Sequence, residues 1–177
     1  MIIQLCGLSG SGKTTIAFNT MVKLKANNIQ VEVIDGDEYR KELCSDLGFS
    51  RADRNENIRR LAFVAGKLSQ HGVLSIICAI NPYEVIREEI KNNYGQVKTV
   101  FVNCDLTTLV NRDTKGMYKR AMLPDTDPEK IYNLTGVNDP FENPTKPDLL
   151  INTHLESVED SVNKLFNFIL ETLNAGF

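Results

Sequence analysis

Short runs of continuous apolar residues alternate along this chain with segments of helical period. Ile2 to Cys6, Val31 to Ile34, Val73 to Ile80, Thr99 to Val102 and Leu149 to Ile151 are brief and rich in β-branched residues, which predicts strands. Their apolar character runs on without polar alternation, as expected for a sheet covered on both faces. Between them, Ala17, Met21 and Leu24 share one helical face, as do Ile58, Leu61, Ala65 and Leu68. Val158, Val162, Leu165, Ile169 and Leu173 form the stripe of a C-terminal helix, with Ser157 placed to cap it. Alternating strands and helices predict an α/β fold: three layers, a mainly parallel central sheet and helices on both faces. The rhythm breaks from about Arg112 to Pro147, where charge, Asp and Gly are dense and Pro124, Pro128, Pro140, Pro144 and Pro147 intervene. So long a stretch without a strand inside a compact domain is usually functional. Its place, after a helix and before the last strand, predicts a lid over about 112–147.

The length of 177 residues fits a single domain, 1–177, since domains usually run to about 100–200 residues. Twenty Lys and Arg stand against 23 Asp and Glu, a formal net charge of −3. That balance argues against a protein that coats nucleic acid through bulk charge, yet leaves room for a local basic pocket holding a small anion. The apolar runs fall far short of the roughly 20 residues that cross a bilayer, so no membrane partner is expected. The first residues lack the basic and apolar regions of a secretory signal. Cys6, Cys44, Cys78 and Cys104 are scattered; Cys6 and Cys78 lie in strand-like runs and read as buried, reduced thiols. Neither His71 nor His154 has a cysteine or carboxylate at metal-ligand spacing, so no structural zinc site is expected. The expected setting is cytoplasmic.

One motif carries chemistry outright. Gly7-Leu8-Ser9-Gly10-Ser11-Gly12-Lys13-Thr14 fits G-x-x-x-x-G-K-[ST], directly after a predicted strand and at the start of a predicted helix. Glycines let successive backbone N–H groups turn inward on phosphate oxygens, and the helix adds its positive dipole end. Lys13 is expected to reach the β- and γ-phosphates and the Thr14 hydroxyl to hold Mg²⁺, with Thr15 also on the ATP side. In an open parallel sheet, ligands sit beyond the carboxyl ends of the strands. The second strand ends there in Asp35-Gly36-Asp37, followed by Arg40, a set able to orient a hydroxyl, take its proton and grip an anion. A plainer reading makes Asp37 the N-cap of the next helix. Asp53 to Arg60 mixes arginines with acids beside Phe49; Ser50 and Asp53 are also placed to cap a helix.

Taken together, GLSGSGKTT (7–15), DGD…R (35–40), DLGFSRADRNENIRR (46–60), NPY (81–83), RDTKGMYKR (112–120), TGVNDPFE (135–142) and LLINT (149–153) resemble the adenylyl-sulfate kinases in order and spacing. Those enzymes use ATP to phosphorylate the ribose 3′-hydroxyl of adenylyl sulfate. The resemblance implies a P-loop kinase fold and roles for individual residues. Asp37 is the carboxylate nearest the acceptor hydroxyl and, with Lys13, catalytic; Asp35 supports Mg²⁺ with Thr14, partly through water. Arg40 and Arg54 grip the phosphosulfate, Asn57 hydrogen-bonds the substrate, and Phe49 stacks on its base. Ile80, Asn81, Lys115 and Leu134 complete the acceptor side, and Arg112 joins the ATP side. Arg112, Lys115 and Lys119 belong to a lid over both nucleotides, and a homodimer is implied.

The chain departs from that family at three places. Asn81 stands where Ser is common and is sometimes assigned as a phosphorylated intermediate; without a hydroxyl, direct in-line transfer is expected. Leu134 replaces a Phe that sandwiches the adenine, and Tyr132 replaces a Lys. Met122 to Lys130 brings in Pro124, Asp125, Asp127 and Glu129 where small and basic residues are usual. These changes admit another acceptor, such as cytidine diphosphoramidate, for the same 3′-hydroxyl chemistry. A non-catalytic nucleotide sensor is a third reading, but a sensor needs the phosphate cradle and not an acceptor clamp.

Overall fold

Residues 1–175 are described by this computed structural model. Five strands form one parallel sheet: β1 (Ile2–Cys6), β2 (Val31–Asp35), β3 (Leu74–Cys78), β4 (Val97–Asn103) and β5 (Leu149–Asn152). Their order is β2-β3-β1-β4-β5. Every residue of β1 and β3 is buried, which explains why their apolar runs do not alternate: both faces are covered.

Successive residues serve opposite layers. Ile3 and Leu5, with Ile76, Val100, Val102 and Ile151, pack against α1 (Lys13–Ala26) and α7 (Val158–Ala175). Ile2, Ile34, Ile77 and Val97 face α3 (Arg51–Gln70) and α4 (Glu84–Tyr94). The helical stripes read from the sequence are the buried ones, with one correction. Val158 is 55% exposed, so the packed stripe of α7 starts at Val162; at the helix entrance Ser157 Oγ accepts from the Asp160 amide at 3.1 Å. Ser50 caps α3 in a reciprocal box with Asp53, as expected. The plainer reading of Asp37 is also corrected. Asp35, not Asp37, is the N-cap of α2 (Gly36–Glu42), and its carboxylate accepts from the Asp37 amide, leaving the Asp37 side chain outside the cap.

The predicted lid contains helix. After α5 (Leu106–Arg112) comes α6 (Met117–Ala121), and the chain then runs irregularly to β5. Cys104, Leu109, Tyr118, Ala121 and Leu134 form a small core of its own, touched by Leu8 of the glycine-rich loop. A polar chain crosses the sheet floor. Gln4 Nε2 donates to Thr99 Oγ1 and to the Arg87 carbonyl, and Asn81 Nδ2 donates to Gln4 Oε1 at 3.1 Å. Fully buried Arg87 donates to the Asn81 and Glu142 carbonyls, each at 2.6 Å, and pairs with Glu84. This network fixes the far end of the lid segment to the loop after β3. All four cysteines are free and buried, which extends the expectation for Cys6 and Cys78 to Cys44 and Cys104. Among the described residues, no helix is long and apolar enough to cross a membrane.

Candidate active site

The glycine-rich loop occupies the turn from β1 to α1, at the carboxyl end of the sheet's central strand. Gly7 sits at φ 151°, and its amide donates to the Ile80 carbonyl at 3.1 Å; a Cβ there would collide with the Val102 carbonyl, so only glycine fits between the neighbouring strands. Lys13 turns back into the loop. Its ammonium donates to the Gly7 and Leu8 carbonyls at 2.9 and 2.8 Å and reaches Ser11 Oγ at 3.4 Å. Burial lowers its pKa to about 8. Thr14 and Thr15 are exposed at the loop's mouth, and Thr14 Oγ1 donates to Asp35 Oδ2 at 2.8 Å. The sequence-predicted magnesium pair is thus brought together at the carboxyl end of the sheet, from the start of α1 and the end of β2.

The lowered pKa of Lys13 has a measurable consequence. Phosphate binding favours the ammonium, so binding near pH 7 needs no proton, whereas well above pH 8 the free amine must take one up. Apparent ATP affinity is therefore expected to fall by up to about tenfold per pH unit above pH 8. Calorimetry in buffers of different ionisation enthalpy should read an uptake approaching one proton, lost in Lys13→Arg, whose guanidinium stays charged. Equal uptake in that variant would assign the proton elsewhere.

Beside Asp37 lies the side expected to take the acceptor. Gly36, Asp37, Arg40, Phe49, Arg54, Asn57, Ile80, Asn81 and Pro82 are among the walls of a cavity of about 80 Å³. The Arg40 guanidinium stacks on the Phe49 ring, 4.3 Å from its centroid, and Arg54 lies 5.6 Å from it. Burial first, and the neighbouring Arg54 second, push the Arg40 pKa down, as two cations sharing one wall must. Such a wall favours an anion. Arg54 is itself buried; it donates to the Phe49 and Asn133 carbonyls and lies 3.2 Å from Asp139. Asn57 is buried with Oδ1 unpartnered among the described residues, so a donor from a ligand is what it lacks.

Asn81 and Leu134, both expected on the acceptor side, are placed differently. Asn81 lines this cavity, but its amide turns inward to Gln4 and its backbone sits at φ 48°, a conformation Asn tolerates. Leu134 does not cover the cavity; it is 3% exposed inside the lid's own core, beside Tyr118 and Leu8. The physical reason is tertiary: an apolar side chain packs with the apolar neighbours that the fold brings to it from distant parts of the chain.

Segment 112–147, the expected lid, reaches down on both sides of the loop. Lys115 pairs with Asp37, Tyr118 Oη donates to the Ser9 carbonyl at 2.7 Å, and Gly136 lies against Leu8. Arg112 is exposed and donates to the Thr153 carbonyl at 2.8 Å, while Thr153 Oγ1 donates to the Ser11 carbonyl. Lys119 is exposed on α6. In the segment that departs from the family, Asp125 is paired with Lys130 at 2.6 Å, and Asp127 accepts from the Glu129 amide. Those acids are spent within the lid's own turns.

Sequence reasoning missed Gln4, Arg87 and Tyr118. Gln4 carried a signal, as the one polar side chain in the otherwise apolar run Ile2 to Cys6. Tyr118 lay inside a quoted motif, but its phenol–Ser9 contact is 109 residues apart in sequence. Tyr118→Phe removes one neutral hydrogen bond, so kcat/KM is expected to fall by roughly 2- to 10-fold with little change in fold. Steady-state kinetics with circular dichroism checks it; an unchanged kcat/KM would make the contact idle.

A parallel sheet with a phosphate loop on its central strand, acids at the end of β2 and a helical segment packed on that loop defines a P-loop kinase. Within that class, the chain belongs to the adenylylsulphate kinase family, whose model matches residues 1–152. The adenylyl-sulfate kinase of Microcystis aeruginosa is 44% identical over 169 residues, 96% of this chain and 91% of that protein. Among solved structures, the Mycobacterium tuberculosis APS kinase CysC in complex with AMPPNP and APS superposes with a TM-score of 0.87 at 34% identity, covering 95% of this chain and 96% of that one. A hexameric APS kinase from Thiobacillus denitrificans matches with a TM-score of 0.69 at 25% identity, over 96% of this chain and 28% of that one.

Proposed function

We propose that this chain transfers the γ-phosphoryl group of ATP to the ribose 3′-hydroxyl of adenylyl sulfate, giving 3′-phosphoadenylyl sulfate for sulfate activation. The observation that carries this reading is the cavity beside Asp37. One aromatic ring, two guanidiniums and one unsatisfied buried amide match a base, a phosphosulfate and a base-edge donor. Family membership and the relative solved with AMPPNP and APS support both substrates.

Lys13 leaves its carbonyl partners for the β- and γ-phosphates, and Asp37 orients the acceptor hydroxyl and takes its proton. The Thr14 hydroxyl and Asp35 carboxylate offer the hard oxygen donors that suit Mg²⁺, which would neutralise phosphate charge during transfer. Lys115 of segment 112–147 occupies the Asp37 carboxylate at the edge of this cavity, so the segment lifts to admit the acceptor. Opening breaks the Lys115–Asp37 pair and frees Asp37 for the hydroxyl; reclosure excludes competing water. Asn81 has no hydroxyl to phosphorylate, and transfer is direct and in line.

Purified protein with Mg²⁺, labelled ATP and a panel of acceptors tests this. Adenylyl sulfate should be the best acceptor, and label should not remain on protein after ATP alone. Preference for cytidine diphosphoramidate would replace the acceptor; a retained phosphoenzyme would overturn direct transfer. The same proposal places the chain in a reducing cytoplasm, which its four buried free thiols support, and in a homodimer. The relative from Thiobacillus denitrificans, a hexamer, supports self-association, and light scattering measures the number of copies.

A further inference from the structure

On the sheet's β4–β5 side, away from the acceptor cavity, Asn103 and Asn152 are register partners on adjacent parallel strands. The residues that follow them therefore emerge side by side: Cys104 and Asp105 after β4, Thr153 and His154 after β5. Fifty residues separate the two pairs in sequence, and that distance hid the juxtaposition. The Cys104 sulfur, an Asp105 carboxylate oxygen and a His154 ring nitrogen all lie within 4.8 Å of one another.

His154 Nδ1 is buried and has no hydrogen-bond partner among the described residues. It stands 4.0 Å from Asp105 Oδ2, too far for a hydrogen bond. Two donors on one tetrahedral zinc ion, each bound at about 2.0–2.3 Å, stand roughly 3.3–3.8 Å apart, so a small shift reaches that spacing. Asp105 is held in place from behind, with the Thr108 amide and hydroxyl donating to its two oxygens at 2.8 and 2.7 Å. Such outer support is what fixes a metal-ligating carboxylate. Cys104 is 5% exposed, and Arg112 Nη1 lies 3.7 Å from its sulfur.

We propose that Cys104, Asp105 and His154 form a binding site for a thiophilic divalent cation of the zinc class. Thiolate, imidazole and carboxylate donors select zinc or cobalt over magnesium, whereas the Thr14–Asp35 pair offers oxygen alone. On binding, the Cys104 thiol releases its proton to solvent and a metal–sulfur bond forms. His154 binds as neutral imidazole through Nδ1, Asp105 through one oxygen, and water takes the fourth position. The thiolate and carboxylate together balance the ion's charge. The Arg112 guanidinium leaves the sulfur and keeps its bond to the Thr153 carbonyl.

Chelator-treated protein titrated with Co²⁺ tests this without any assay of activity. One equivalent should bind with a thiolate-to-cobalt charge-transfer band in the near ultraviolet; Zn²⁺ should displace it and millimolar Mg²⁺ should not. Cys104→Ser should abolish the band, and His154→Gln should weaken Zn²⁺ binding by about tenfold or more. Should Cys104→Ser fold poorly, His154→Gln with an unchanged thermal melt decides alone. Absence of the band in the wild-type chain, its persistence in Cys104→Ser, or unaltered Zn²⁺ affinity in His154→Gln would each overturn the site.

Discussion

Lys13→Ala is expected to lower kcat by roughly 10³-fold or more while leaving the fold intact. The ammonium is held by two carbonyls and a hydroxyl inside the glycine-rich loop, in a burial that already lowers its pKa to about 8. A cation kept in so unfavourable a place gains most when phosphate charge arrives beside it, and more as that charge develops in transfer. Removing it forfeits a transition-state interaction and a desolvation already met in the folded protein. Single-turnover rates at saturating MgATP measure the loss. A drop smaller than about tenfold would show that backbone amides alone stabilise the transferring group.

Asp37→Asn is expected to reduce kcat by roughly 10²- to 10⁴-fold, with MgATP affinity changed by less than about threefold. The carboxylate is exposed beside the acceptor cavity and is not used to cap α2, a task that falls to Asp35. Its partner in this structure is Lys115 from the lid. Amide substitution removes the proton acceptor and also weakens this lid contact, so Lys115→Met is the companion variant. That variant keeps the carboxylate and loses only the contact. Were both variants equally slow, Asp37 would be a lid latch and not the hydroxyl's base. Retained turnover in Asp37→Asn would favour a protein in which that carboxylate has no part in transfer.

The strands, the two covered faces and the loop at Gly7 to Thr14 could be read from the chain because each depends on neighbours in sequence. A strand buried on both faces shows as a continuous apolar run, and a phosphate cradle needs its glycines and Lys13 at fixed local spacing. Asp35 and Asp37 were legible for the same reason, since ligands gather at strand ends. The division of labour between them was not, because capping depends on which carboxylate meets the Asp37 amide. The place of Leu134 was also hidden. It is settled by packing against Leu8, Leu109 and Tyr118, residues far from it in sequence.

Fold class, phosphate chemistry and the family's ordered motifs are therefore properties of the sequence alone, carried by local periodicity and by residue types at short spacing. Tertiary structure alone decided four things: Lys115 on Asp37, Arg40 on Phe49, Tyr118 on Ser9, and the gathering of Cys104, Asp105 and His154. Each is a contact that strand order and helix packing bring together, and a linear pattern holds no record of which distant side chains will meet when the sheet closes.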